Sequence, residues 1–95
     1  MQERIQRVIG MNQLEKLFKM IDDFLDKKYD ALTFSHEAPY FLCKNYDEIE
    51  KVNKKAAIYL NDELPDVCDI YERGDDPTEL MNQIETMYKK VKMML

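Results

Sequence analysis

Side chains able to do chemistry are few in this chain: one histidine, His36, followed directly by Glu37, and two cysteines, Cys43 and Cys68. A histidine beside a carboxylate offers a base and an acid. Neighbouring helical positions, however, point about 100° apart, so the two side chains do not converge on one substrate atom. No nucleophile stands at a defined spacing from them. Zinc would need His36, Cys43, Cys68 and an acid to meet from three separate segments, without the paired ligand spacing that marks such sites. The stretch 69–80 has an acid at its first position and Gly74 at its sixth, as a calcium loop does. Its third, fifth and twelfth positions are Tyr71, Arg73 and Leu80, which supply no carboxylate. Two glycines in the whole chain leave no room for a phosphate-binding glycine loop. The residues therefore predict no catalytic group, no metal and no cofactor: a protein that is not an enzyme and acts by binding.

The elements that position these residues follow from length and hydrophobic spacing. The 95 residues support one core and a single domain over 1–95, and the scarcity of glycine and proline favours helices over strands. Leu14, Leu17, Phe18, Ile21, Phe24 and Leu25 recur at helical spacing, and Lys27 and Lys28 stand where a helix C-terminus favours cations. Residues 1–10 read as a loosely attached lead-in, joined through Gly10. A second helix over 31–44 presents Phe34, Tyr40, Phe41 and Leu42, with Pro39 at the edge of the first turn if Ser35 is the cap, or at a kink if the helix starts at Leu32. A third, over 46–63, opens on a capping-box spacing of Asn45 and Glu48 and closes at Pro65. Asp76-Pro77-Thr78-Glu79 is the sharpest boundary: an N-cap acid, a proline at the first helical position and an acid at the third. The fourth helix carries Leu80, Met81, Ile84, Met87, Tyr88, Val91 and Met94. These segments predict an all-α fold, a small antiparallel four-helix bundle with a short extra helical turn between helices 3 and 4, pinned by Val67, Cys68, Ile70 and Tyr71.

Several partner classes are disfavoured. The net charge is −5, which argues against direct nucleic-acid binding. No apolar run approaches the roughly 20 residues that span a bilayer, and the first residues lead into no signal-like apolar core, so no membrane partner and a cytoplasmic location are expected. Unpaired cysteines fit a reducing compartment. A methionine-lined groove from Met81, Met87 and Met94, holding a partner helix, is the alternative to plain core packing for those residues.

The position of the charge says more than its sum. The connection 62–79 holds eight acids, Asp62, Glu63, Asp66, Asp69, Glu72, Asp75, Asp76 and Glu79, against Arg73 alone, a net −7, while the remainder of the chain sums to +2. Self-repulsion makes such a cluster costly, and a connector needs no such charge. A basic protein surface is the expected partner, with Asp62, Glu63, Asp66, Asp69, Glu72, Asp75 and Asp76 pairing with lysine and arginine and Tyr71 adding contact area.

A family resemblance enters at this point. Residues 14–25, the following Lys28-Tyr29-Asp30-Ala31-Leu32-Thr33-Phe34-Ser35, the aromatic Tyr40-Phe41-Leu42, the acidic Tyr71-Glu72-Arg73-Gly74-Asp75-Asp76 and the closing helix over 80–91 together resemble the colicin D immunity proteins and the related helical immunity proteins of contact-dependent growth-inhibition systems. The resemblance implies a small helical bundle without enzymatic activity that tightly inhibits a cognate bacterial toxin, often a nuclease acting on tRNA. In that reading a basic toxin domain is held in a one-to-one complex and its active site is covered. Pro39 and the heavily acidic 62–79 connection have no residue-by-residue counterpart in the resemblance, so the binding surface is assigned from charge.

Overall fold

The computed structural model describes residues 11–95. The expected lead-in at 1–10 lies outside them. Among the described residues the fold is all-α, with five helices: α1 (Gln13–Leu25), α2 (Ala31–Lys44), α3 (Tyr46–Val52), α4 (Lys54–Asp69) and α5 (Pro77–Lys92). α1, α2, α4 and α5 each pack on the next, and α5 returns to α1; the short α3 packs against α1, α2 and α4. One continuous core fills the space between them, with Leu17, Ile21, Phe34, Leu60, Leu64 and Ile84 fully buried.

Each end of α1 has a local cause. Asn12 accepts the Glu15 N–H at 2.8 Å and the Glu15 carboxylate accepts the Asn12 N–H at 3.0 Å, a reciprocal capping box. At the other end Lys28 N–H reaches the Asp23 carbonyl at 2.8 Å and Lys27 N–H the Phe24 carbonyl at 3.0 Å, while Lys27 takes a φ of 65°. This is a Schellman turn with lysine in the left-handed position that glycine usually fills. Lys27 and Lys28 thus lie beyond the helix rather than in its last turn. The next element starts at once, because Asp30 accepts the Thr33 N–H at 3.0 Å and caps α2. Asp30, not Ser35, is the cap, so Pro39 falls inside the helix. Phe24 and Phe34 stack across this corner with ring centroids 4.3 Å apart, and Tyr29 meets Phe34 edge-on. Tyr40, expected on the buried face, is exposed.

The largest departure from the expected architecture lies in the third segment. The single helix expected over 46–63 is two helices, broken at Asn53, whose φ of −159° and ψ of 105° are extended. Asn53 accepts the Ala56 N–H at 3.0 Å, so it caps α4, and its amide donates to the Met94 carbonyl at 3.2 Å, tying the start of α4 to the residues after α5. Asn45 makes no such cap; its side-chain amide donates instead to the Phe41 carbonyl. Val52, the last residue of α3 before the break, is exposed.

Pro65 does not end a helix. α4 continues through it to Asp69, and Leu64 and Cys68 are both buried. A proline costs a helix interior about 3 kcal/mol, but stopping there would forfeit the burial of Cys68, the half-burial of Val67 and the last backbone hydrogen bonds. Consequently the extra helical turn expected between the third and fourth helices is absent. Val67 and Cys68 belong to α4, and the connection is only 70–76. α5 begins as expected, with Asp76 accepting the Thr78 N–H at 2.9 Å and Pro77 in the first turn.

Two substitutions test these devices by urea unfolding. Asn53→Ala loses a helix cap and a long-range tie and is expected to cost about 1–2 kcal/mol, while Asn53→Asp, which retains the cap, costs less. Lys27→Gly removes left-handed strain and is expected to stabilise the protein by about 0.5–1 kcal/mol.

Candidate functional site

The acidic residues assemble at one end of the α4–α5 pair, and the structure divides them into two groups. Asp75 accepts the Glu72 N–H at 2.8 Å while Glu72 accepts the Asp75 N–H at 3.0 Å, closing a turn in which Gly74 takes a φ of 94°. Asp76 caps α5, and its backbone hydrogen bond from Thr78 holds its carboxyl below the usual range. Glu79 lies in the first turn of α5, where the helix dipole favours an anion. These three acids have local structural work.

Asp62, Glu63, Asp66, Asp69 and the Glu72 carboxylate have none. All five are exposed. Among the described residues the one ion pair joins Lys19 to Asp23, far from this end in sequence. Four of the five lie in the C-terminal half of α4, and Asp66 and Asp69 occupy its last turn, where the dipole disfavours anions and no cation is present. They flank α4 on both sides. Glu63 lines a groove against α5 with Tyr59, Val67, Glu79, Gln83 and Lys90; Asp66 and Asp69 line a depression against α2 with His36, Pro39, Pro65 and Cys68.

The α4–α5 groove deepens at the acidic end into a concavity of about 590 Å³ lined by Val67, Ile70, Tyr71, Asp75, Asp76 and Glu79 among others. Tyr71, expected as the contact residue, is half-buried against the core, and its hydroxyl donates to the Asp75 carbonyl at 3.3 Å. Ile70 was expected to pin an extra turn but is 62% exposed. It is an exposed apolar side chain that the sequence pattern hides, since helical spacing cannot mark a residue just beyond a helix end. Acidic rim and apolar floor together suit a basic partner that also carries an apolar side chain.

The other candidate residues separate. Glu37 accepts the Tyr29 hydroxyl rather than meeting His36; burial and this carboxylate push the Tyr29 phenol up to about 12. Cys68 is buried and Cys43 exposed, and both are free thiols. Burial, aided by the neighbouring Asp69 charge, pushes the Cys68 thiol up to about 12. Among the described residues no three His, Cys, Asp or Glu side chains are grouped to hold a metal ion. Met87 is buried in the core and Met81 and Met94 pack against it, so these methionines serve as packing residues. No described helix is long and apolar enough to cross a membrane. Comparison with known proteins found no matching family model, no matching curated protein and no matching solved structure.

The contrast between the thiols is directly measurable. At about pH 8 a disulfide reagent should label the exposed Cys43 rapidly and Cys68, buried and with its thiol pushed up to about 12, slowly. Cys43→Ser should abolish that fast phase, and mild urea should restore reactivity at Cys68.

Proposed function

We propose that this chain is a non-enzymatic inhibitor of a bacterial toxin domain, an immunity protein that seats its acidic end in the basic substrate groove of the toxin. The frame in this reading is an antiparallel bundle of the four long helices, with α3 as an insertion between the second and third of them. The observation that carries the proposal is the set of five exposed carboxylates, Asp62, Glu63, Asp66, Asp69 and Glu72, free of ion pairs with described residues and sited partly against the dipole of the helix that bears them. An arrangement that lowers the stability of the free protein is explained when a basic partner neutralises it. Asp75 and Asp76 shape the adjoining turn while keeping one carboxylate oxygen each for a partner, and Tyr71 and Ile70 supply apolar contact.

A nuclease is the apt toxin class. Its groove is already lined with lysine and arginine for phosphates, and carboxylates held on a rigid helix occupy the phosphate positions and exclude the substrate. One inhibitor covers one groove, so the complex is one-to-one and requires no nucleic acid, metal or cofactor. The inhibitor works in the cytoplasm of the cell that makes the toxin, by occlusion alone. Acidic steering also raises the association rate, by about 10- to 1,000-fold at low salt, so capture precedes damage.

Co-expression with a basic toxin domain, sought in the neighbouring reading frame, tests the proposal, with restored growth as the expected outcome. In binding measurements, Asp66→Lys, Asp69→Lys and Glu72→Lys together should slow association more than about tenfold and flatten its salt dependence. Unaltered affinity and salt slope in that variant would place the toxin elsewhere on the surface.

A further inference from the structure

The opposite end of α4 carries the opposite charge. Residues 51–58 and 88–95 contain six lysines and no acid. The Asn53 amide, donating to the Met94 carbonyl at 3.2 Å, clips the two segments together. All six lysines are exposed. Lys92 lies over the Tyr88 ring, 4.1 Å from its centroid, and Lys90 lines the α4–α5 groove. Lys51, Lys54, Lys55 and Lys89 are left without an acidic partner among the described residues. Among the described residues the same two segments hold four of the six large exposed hydrophobic side chains: Val52, Ile58, Met93 at 86% exposure and Leu95.

We propose that this end of the molecule is a peripheral docking surface for an anionic phospholipid bilayer. A bilayer interface offers anionic headgroups for lysines and, just beneath them, an acyl boundary for aliphatic side chains, and this end of the molecule exposes both kinds of side chain. A nucleic-acid backbone has phosphates for the lysines but no counterpart for Val52, Ile58, Met93 and Leu95. A second copy of the chain would bring its acidic end, but that contact is head-to-tail and does not close. The overall negative charge does not prevent membrane approach. The nearest acid of the other end, Asp62, lies seven residues beyond Lys55, about 10 Å along α4, and Asp66 and Asp69 lie farther, whereas charges are screened beyond about 8 Å at physiological salt. That no described helix can span a bilayer, the ground on which the sequence argues against a membrane partner, bears on insertion and not on a peripheral contact of this kind. The surface and its ligand are independent of the toxin reading, because they use no residue of the acidic end.

The test is co-sedimentation of the full chain with vesicles of phosphatidylcholine alone or mixed with phosphatidylglycerol. Binding is expected to the mixed vesicles only, and to weaken with salt. Lys51→Glu, Lys54→Glu and Lys55→Glu together should lower it more than about tenfold. Lys54 and Lys55 sit in the first turn of α4, where an acid suits the helix dipole better than a lysine, so thermal unfolding of this variant verifies that lost binding is not lost folding. Val52→Ser with Met93→Ser should lower vesicle binding at least about threefold while leaving the salt slope unchanged. No binding to mixed vesicles, or equal binding to both kinds, overturns the proposal. So does a serine variant that binds as tightly as the parent, which would mark the patch as a general polyanion surface. Sedimentation velocity without lipid that finds a dimer dissolved by the lysine substitutions overturns it in favour of a second copy.

Discussion

Burial of one face of α4 is the constraint on which the rest of this structure depends. Ala56, Ala57, Leu60, Leu64 and Cys68 are sealed against α2, α3 and α5, so α4 holds the other helices in place. The same helix is charged against its own dipole, with Lys54 and Lys55 at the positive end and Asp66 and Asp69 at the negative end. Misplaced terminal charges cost about 0.3–1 kcal/mol each at exposed sites, so four of them oppose the helix by about 1–4 kcal/mol. Burying Leu60 and Leu64 alone contributes about 3–6 kcal/mol. Packing wins, and it also carries Pro65. Electrostatics sets what this helix presents to the outside, and hydrophobic burial sets that it exists.

That ranking explains which features were legible in the sequence. Hydrophobic spacing reports burial, so Leu14, Leu17, Ile21 and Phe24, or Leu80, Ile84 and Val91, are core residues as their periodicity predicts. The boundary at Asp76-Pro77 was readable because cap, proline and first-turn acid all point the same way. Pro65 misleads because its cost is local while the gain from continuing is tertiary. The two asparagines mislead for a related reason. Asn45 has the better capping pattern, with Glu48 three residues on, yet Asn53 breaks the chain, and one of its two partners is the carbonyl of Met94, 41 residues away. Nothing in a local window distinguishes them.

The candidate site shows the same division. A net −7 over 62–79 is a property of the sequence and needs no structure. Which carboxylates are committed is not, because Asp75 and Asp76 become internal acceptors only once the turn at Gly74 and the start of α5 exist. The structure thereby moves the weight of the patch from the connection to the flank of α4. It also exchanges the apolar roles of Tyr71 and Ile70: the tyrosine ring packs inward and the isoleucine is left facing solvent.

Separating frame from surface has a further consequence. Among the described residues, the charges at the acidic and lysine-rich ends of α4 enter no ion pair with each other or with the core helices. Each of these charges therefore acts on folding through the dipole of α4, at about 0.3–1 kcal/mol for a terminal position, and through no ion pair. Had the acids been neutralised by lysines within the chain, binding a basic partner would first require breaking those pairs. Holding α4 by aliphatic burial avoids that penalty. A helix stabilised this way presents two surfaces of opposite charge whose composition the core does not dictate.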